Sequence, residues 1–309
     1  MERRDEEEEA EAEEEAWLLD SLRLLLVTSG PPDSGLQIWR MEPDGTDIIK
    51  LLGTIPTLPG GDEGWARIAT TVSKPSRVLH GLRIGNLQVT DIESKQTLFM
   101  AASPSNEEVS TVDFLDEVTA LACSMKGQLF LADTRQPPHL LGAAGDVPVP
   151  LASGGLRWCA GVRQNPLDCS AIDEPLIAQL SSGGHVVLRD LRNTTSPLAV
   201  VQCCVPTPGL HEVEFLSISF APLLRGCLSL SGFDGTIHIY DTHNWDPSAQ
   251  EAKPLFLHKG HVFSGASAAG HPPLVTTHAW HPSKPQTLLS AASDGSLHVW
   301  DWADPRGVS

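Results

Sequence analysis

The chain has 309 residues, 41% of them hydrophobic and 19% charged, with a formal net charge of −18. That apolar content excludes a wholly disordered polypeptide, and the negative balance excludes nucleic acid as a direct ligand, because phosphate binding needs clustered Lys and Arg. No apolar run approaches the ~20 residues of a membrane span, and no basic segment followed by an apolar one marks a secretory leader.

Residues 1–20 contain eleven acids and two arginines, a net of −9 out of −18. Such a run repels itself and has nothing to bury, so 1–16 reads as a disordered acidic tail; the sharper alternative is a segment that docks on a basic partner. Residues 17–24, W-L-L-D-S-L-R-L, read as one amphipathic turn or as a strand completing another unit's sheet. Beyond them, short apolar runs bounded by Gly, Asp and Pro predict strands throughout. Residues 24–29, 36–40 and 48–53 give a first sheet whose inner strand would fall on the Glu-rich start, and so is missing. Segments 66–72, a pair ending at Val89-Thr90-Asp91, and 97–101 give a second; 109–114, 118–123 and 128–132 give a third. The Pro- and Gly-rich stretch 136–156 reads as a rim loop. A fourth unit spans 157–192 with Gly183-Gly184 as its hairpin turn, and Pro206 and Pro208 open the next connection. The fifth takes 214–220, 227–231 and 236–240 with a turn at Asp234-Gly235, followed by a polar, exposed excursion over 244–254. The sixth opens at Gly260-His261, is interrupted by small residues over 264–273, and resumes at 274–280.

Residues 288–302, L-L-S-A-A-S-D-G-S-L-H-V-W-D-W, are the clearest unit: two strands joined through Asp294-Gly295, the strongest short-range hairpin signal. Echoes of it close at Trp39-Arg40, Thr90-Asp91, Ala132-Asp133, Arg189-Asp190, Tyr240-Asp241 and Trp300-Asp301, at spacings of 51, 42, 57, 51 and 60 residues. A unit of four strands recurring every ~40–45 residues, lengthened by loop insertions, indicates a repeat architecture.

The Trp300-Asp301 ending, the Gly260-His261 dipeptide upstream of it and the Asp-Gly hairpins resemble the WD-repeat β-propeller family over residues 24–302. The fold implied is all-β: a propeller over 17–303 with six recognisable blades, closed as it stands or an incomplete seven-bladed ring, then a short tail over 304–309. The resemblance also implies a buried network through His261, Ser290, Asp294 and Trp300. An indole N–H can only donate and, once buried, needs an acceptor. The other five echoes lack this set, so their blades are expected to rest mainly on apolar packing.

Four segments, W-L-L-D-S-L-R-L at Trp17, R-W-C-A at Arg157, S-G-F-D-G-T at Ser231 and L-V-T-T-H-A-W-H-P at Leu274, are similar to one cytoplasmic branch of that family. The branch implies a non-enzymatic scaffold that assists assembly and stabilisation of the RNA-endonuclease module of the Integrator complex, with the endonuclease subunits and an associated assembly partner as its protein partners. The alternative it implies is regulation of microtubule organisation at the mitotic spindle, at spindle poles and the cleavage furrow, with tubulin or microtubule-associated proteins as partners. Direct docking on the acidic microtubule surface is electrostatically unfavourable for so acidic a chain. In that branch a further segment separates W-L-x-x-S-L-R-L from L-L-V-T-S-G, whereas Leu24 here runs directly into Leu25, which implies a form shorter by about one blade near the N-terminus.

Candidate sites are weighed against plainer roles. Cys123, Cys159, Cys169, Cys203, Cys204 and Cys227 include no C-x-x-C pair and read as small core hydrophobes of a reducing compartment. Twelve histidines invite a catalytic or metal reading. His258 and His261, like His278 and His281, stand three residues apart; on strands such pairs point to opposite faces, so no metal or cofactor site is expected. His238 and His298 alternate along strands and are expected to be exposed. There is no H-E-x-x-H, no G-x-x-x-x-G-K phosphate loop and no G-x-S-x-G elbow, and Glu107, Glu108, Asp113 and Asp116 read as a solvated face. No catalytic residue is assigned, and no partner-binding residue stands out.

Overall fold

Short apolar runs separated by tight turns fold into meandering antiparallel sheets, because two to a few turn residues can join only antiparallel neighbours. The computed structural model describes residues 25–29, 35–41, 49–57, 65–71, 76–103, 105–135, 142–145, 155–163, 176–206, 213–245, 251–263 and 272–307. Cys169 and residues 1–24, with their expected tail and closing strand, lie outside the described residues.

Among the described residues, six sheets follow one another along the chain. The first is β1 (Leu25–Ser29), β2 (Leu36–Met41) and β3 (Ile49–Ile55); the second is β4 (Arg67–Thr70), β5 (Arg77–Gly81), β6 (Gln88–Asp91) and β7 (Thr97–Met100). The third is β8 (Val109–Phe114), β9 (Thr119–Ser124), β10 (Leu129–Asp133) and β11 (Gly142–Gly145). The fourth is β12 (Trp158–Val162), β13 (Leu176–Ser181), β14 (His185–Asp190) and β15 (Ala199–Cys203). The fifth is β16 (Ser217–Phe220), β17 (Cys227–Ser231), β18 (Ile237–Asp241) and β20 (Phe256–His258); β19 (Glu251–Ala252), which falls between β18 and β20 in sequence, joins the edge of the fourth sheet instead. The sixth is β21 (Val275–Trp280), β22 (Thr287–Ala292) and β23 (Leu297–Asp301), entered through a helical turn, α1 (Gly260–Phe263).

The first strands of sheets two to six, β4, β8, β12, β16 and β21, lie side by side in chain order. The sheets therefore stand radially, as the blades of a propeller. Apolar clusters bind each blade to the next: Leu36 and Ile38 to Val78, Leu79 and Val89 to Val112 and Phe114, Leu121 and Leu129 to Ile177. Leu180 and Val201 meet Leu228 and Tyr240, and Ile239 meets Trp280 and Leu288. Among the described residues, none of these clusters joins the sixth blade to the first.

Four expectations are corrected. The stretch 136–156 is not all loop: β11 pairs with β10, Ala143 opposite Phe130 and Gly142 opposite Leu131. An open strand edge offers unpaired backbone groups, and small residues can pair with it as well as apolar ones. The excursion 244–254 is not wholly exposed, since Glu251 and Ala252 add in parallel beside Gln202 and Cys203 of the fourth blade, with Ala252 buried. His238 is buried rather than exposed, because it shares a face of β18 with Tyr240, which packs on the fourth blade. Cys204 is exposed, while Cys123, Cys159, Cys203 and Cys227 are buried thiols. The C-terminal residues also have a contact of their own: the Arg306 guanidinium reaches Asp304 at 2.7 Å, the Arg225 carbonyl at 3.1 Å and Asp241 at 3.3 Å, fastening the last turn to the fifth blade.

Candidate interaction surfaces and their histidine relays

Strand geometry brings the sixth blade's polar residues together. Ser290 on β22 faces His298 on β23 in register, and Trp300 stands two residues further on the same face. The Trp300 indole N–H donates to Ser290 Oγ at 3.2 Å, Ser290 Oγ lies 2.9 Å from His261 Nε2, and His261 Nδ1 lies 2.6 Å from Ser296 Oγ. Because the indole can only donate, one self-consistent direction has Ser290 donating to Nε2 and Nδ1–H donating to Ser296. Asp294 does not touch His261 by hydrogen bond; its Oδ1 accepts the Ser296 backbone N–H at 2.9 Å. Ser296, which the sequence did not single out, is thus the intermediary. Its side-chain and backbone hydrogen bonds hold the Asp294 carboxyl below the usual range. His261 and Ser290 are fully buried, and burial lowers the pKa of His261.

A second relay crosses a blade boundary. The Trp280 indole donates to Ser229 Oγ at 2.8 Å, and His278 is held between Ser229 Oγ and Ser231 Oγ at 2.7 Å each. Trp280 and His278 belong to the sixth blade, the serines to the fifth. Burial lowers the His278 pKa to about 4. The fifth blade therefore carries a polar link beside its apolar packing, and the second a smaller one, His80 Nε2 to Thr90 Oγ1 at 2.9 Å. The readable signal was the two-residue spacing of His278 and Trp280, which places both on one face; the three-residue comparison with His281 hid it. The supposed solvated acids are employed as well: Asp116 accepts the Val118 and Thr119 backbone N–H groups, and Glu107 pairs with Lys126 at 2.9 Å.

Three surfaces remain for other molecules. The inner strands surround a central channel of about 1070 Å³, whose wall carries charges of both signs, among them Arg67, Glu108, Asp113 and Glu214. The sixth blade's face turned away from the fifth is apolar and open: Leu289 opposes Val299, and Ala291 opposes Leu297. Leu297 and Val299 are 65% and 71% exposed, against full burial at the equivalent seams of other blades. On the first blade, the face turned away from the second aligns Leu26, Trp39 and Leu51, of which Leu26 and Leu51 are exposed. The hairpin tips complete the rims; Asp234 Oδ1 accepts the Thr236 N–H at 2.8 Å beside Gly235, as Asp294 does for Ser296 beside Gly295.

Similarity to known proteins decides the family. A model of the WD domain, G-beta repeat, matches residues 256–301, the segment from β20 to the end of β23. Over 91% of its length the chain is 43% identical to the Integrator complex assembly factor WDR73 of Xenopus laevis and 42% identical to that of Homo sapiens, covering 73% of each of those proteins. The chain belongs to the WDR73 family. Among solved structures, a chain in the crystal structure of the mitotic checkpoint complex superposes with a TM-score of 0.58 at 16% identity, covering 91% of this chain and 73% of that one; at that identity it speaks for the propeller fold alone. In this WDR73-family chain the matched repeat contains the whole Trp300 relay, whereas the cross-blade Trp280 relay draws its serines from β17, upstream of the match. No described helix is long and apolar enough to cross a membrane.

Proposed function

We propose that the protein is a non-enzymatic, cytoplasmic WD-repeat scaffold that assists assembly and stabilisation of the RNA-endonuclease module of the Integrator complex. The observation that carries this reading is the 43% identity over 91% of the chain to a protein named as an Integrator complex assembly factor. The architecture suits a scaffold, since radial blades present two faces and a circumference of independent loops on which several partners can be held at once. The open apolar faces of the sixth and first blades, lined by Leu297, Val299, Leu26 and Leu51, are where a subunit awaiting its own partners would gain most from burial.

The test is affinity capture of a tagged chain from a cytosolic extract followed by quantitative proteomics. Integrator endonuclease subunits are the expected co-purifying proteins, and a clean capture that lacks them sinks the reading. Acidic chemistry argues against direct microtubule docking, and co-sedimentation with polymerised tubulin is expected to be negative.

A further inference from the structure

Among the described residues, His258, His261 and His298 bring one ring nitrogen each to within 4.8 Å of the others. They come from three elements: β20 of the fifth blade, the helical turn α1, and β23 of the sixth. The divergence expected of His258 and His261 assumed a strand. Gly260–Phe263 is helical instead, and the two rings stand 6.0 Å apart between centroids. Gly260 leaves the room for this: a Cβ there would lie 2.6 Å from His258 Nε2 and 2.8 Å from His298 Nδ1, so those two nitrogens converge over a residue without a side chain.

His258 Nε2 is buried without a hydrogen-bond partner, a costly state for a polar atom. Three converging imidazoles suit a borderline divalent cation, zinc foremost. We propose that His258, His261 and His298 bind a zinc ion that bridges the fifth and sixth blades. His258 Nε2 and His298 Nδ1 supply two ligands over Gly260. The His298 ring, which stacks on His261 at 4.0 Å and is half-exposed, turns about its Cβ–Cγ bond to aim its lone pair. His261 exchanges the Ser296 hydroxyl at Nδ1 for the ion, its proton moving from Nδ1 to Nε2 so that Nε2–H donates to Ser290 Oγ in place of accepting from it, and water fills the fourth position of a tetrahedral site.

The proposal goes beyond the scaffold reading and fails independently of it. Zinc chloride added to the metal-stripped full chain is expected to raise its melting temperature, saturating at one ion per chain in a calorimetric titration. His258→Gln and His298→Gln should each weaken binding by more than about tenfold; His298→Gln, at a half-exposed position, carries the test if His258→Gln folds poorly. Because the His258 ring stacks on Trp300 at 4.0 Å, Cu(II) as a second probe should quench part of the tryptophan fluorescence in the parent and not in either variant. The site is ruled out if zinc gives no saturable rise in melting temperature, or if both variants respond as the parent does, which would place the ion on other histidines.

Discussion

At the scale of single residues, two tryptophans that look alike in the sequence carry different weight. Trp280 is 9% exposed and bonded across the blade boundary, whereas Trp300 is only half-buried. Trp280→Ala is expected to cost the ~3–5 kcal/mol of a buried aromatic, Trp300→Ala clearly less; thermal or urea melts of the two variants check the order, and the reverse order would mean that the Trp300 relay holds the blade. The histidines predict a pH dependence. His80, His258 and His278 each have a folded pKa of about 4 against 6.5 when unfolded. Between those values the unfolded chain binds more protons, so stability is full above pH ~6.5 and falls as pH drops toward 4. Fully buried His278 contributes up to ~3 kcal/mol of that loss. Urea midpoints measured from pH 7 to pH 5 should fall, and His278→Asn should flatten the slope. The residue types of these relays could be read from the sequence, but not their partners: His278 finds serines about fifty residues away, a distance in sequence that no local pattern encodes.

At the scale of elements, Asp-Gly hairpins were legible because their chemistry is local. Gly295 sits at φ +82° with open space around its missing side chain, so Gly295→Ala is expected to cost only the left-handed backbone penalty of ~1–2 kcal/mol. At Gly235 an added Cβ would stand 2.7 Å from the Pro273 carbonyl oxygen, so Gly235→Ala should destabilise more, measured by the same melts. The open seam faces give a different signature. Leu297→Asp and Val299→Asp alter side chains that are already exposed, so melting should change little while capture of the endonuclease subunits drops; unchanged capture would remove this face from the proposed interface. What could not be read were β11 and β19, since a strand recruited to a neighbour's edge through its backbone needs no apolar pattern of its own.

At the scale of the whole molecule, charge and closure matter most. Residues 1–16 carry ten acids and two arginines. Their removal should leave melting unchanged and make subunit capture less sensitive to salt, if the acidic run meets a basic partner; equal salt profiles with and without the run would discard that role. The sequence by itself determined that the chain is a series of antiparallel hairpins recurring as one unit lengthened by loop insertions, because turn chemistry and strand alternation act over a few residues. It also carried the family, in the 256–301 repeat and the segments around it. Only the tertiary structure decided which histidines meet, which seams close and which apolar faces stay open, because those outcomes depend on the rotation of one blade against the next, and that rotation is set by contacts between residues far apart along the chain.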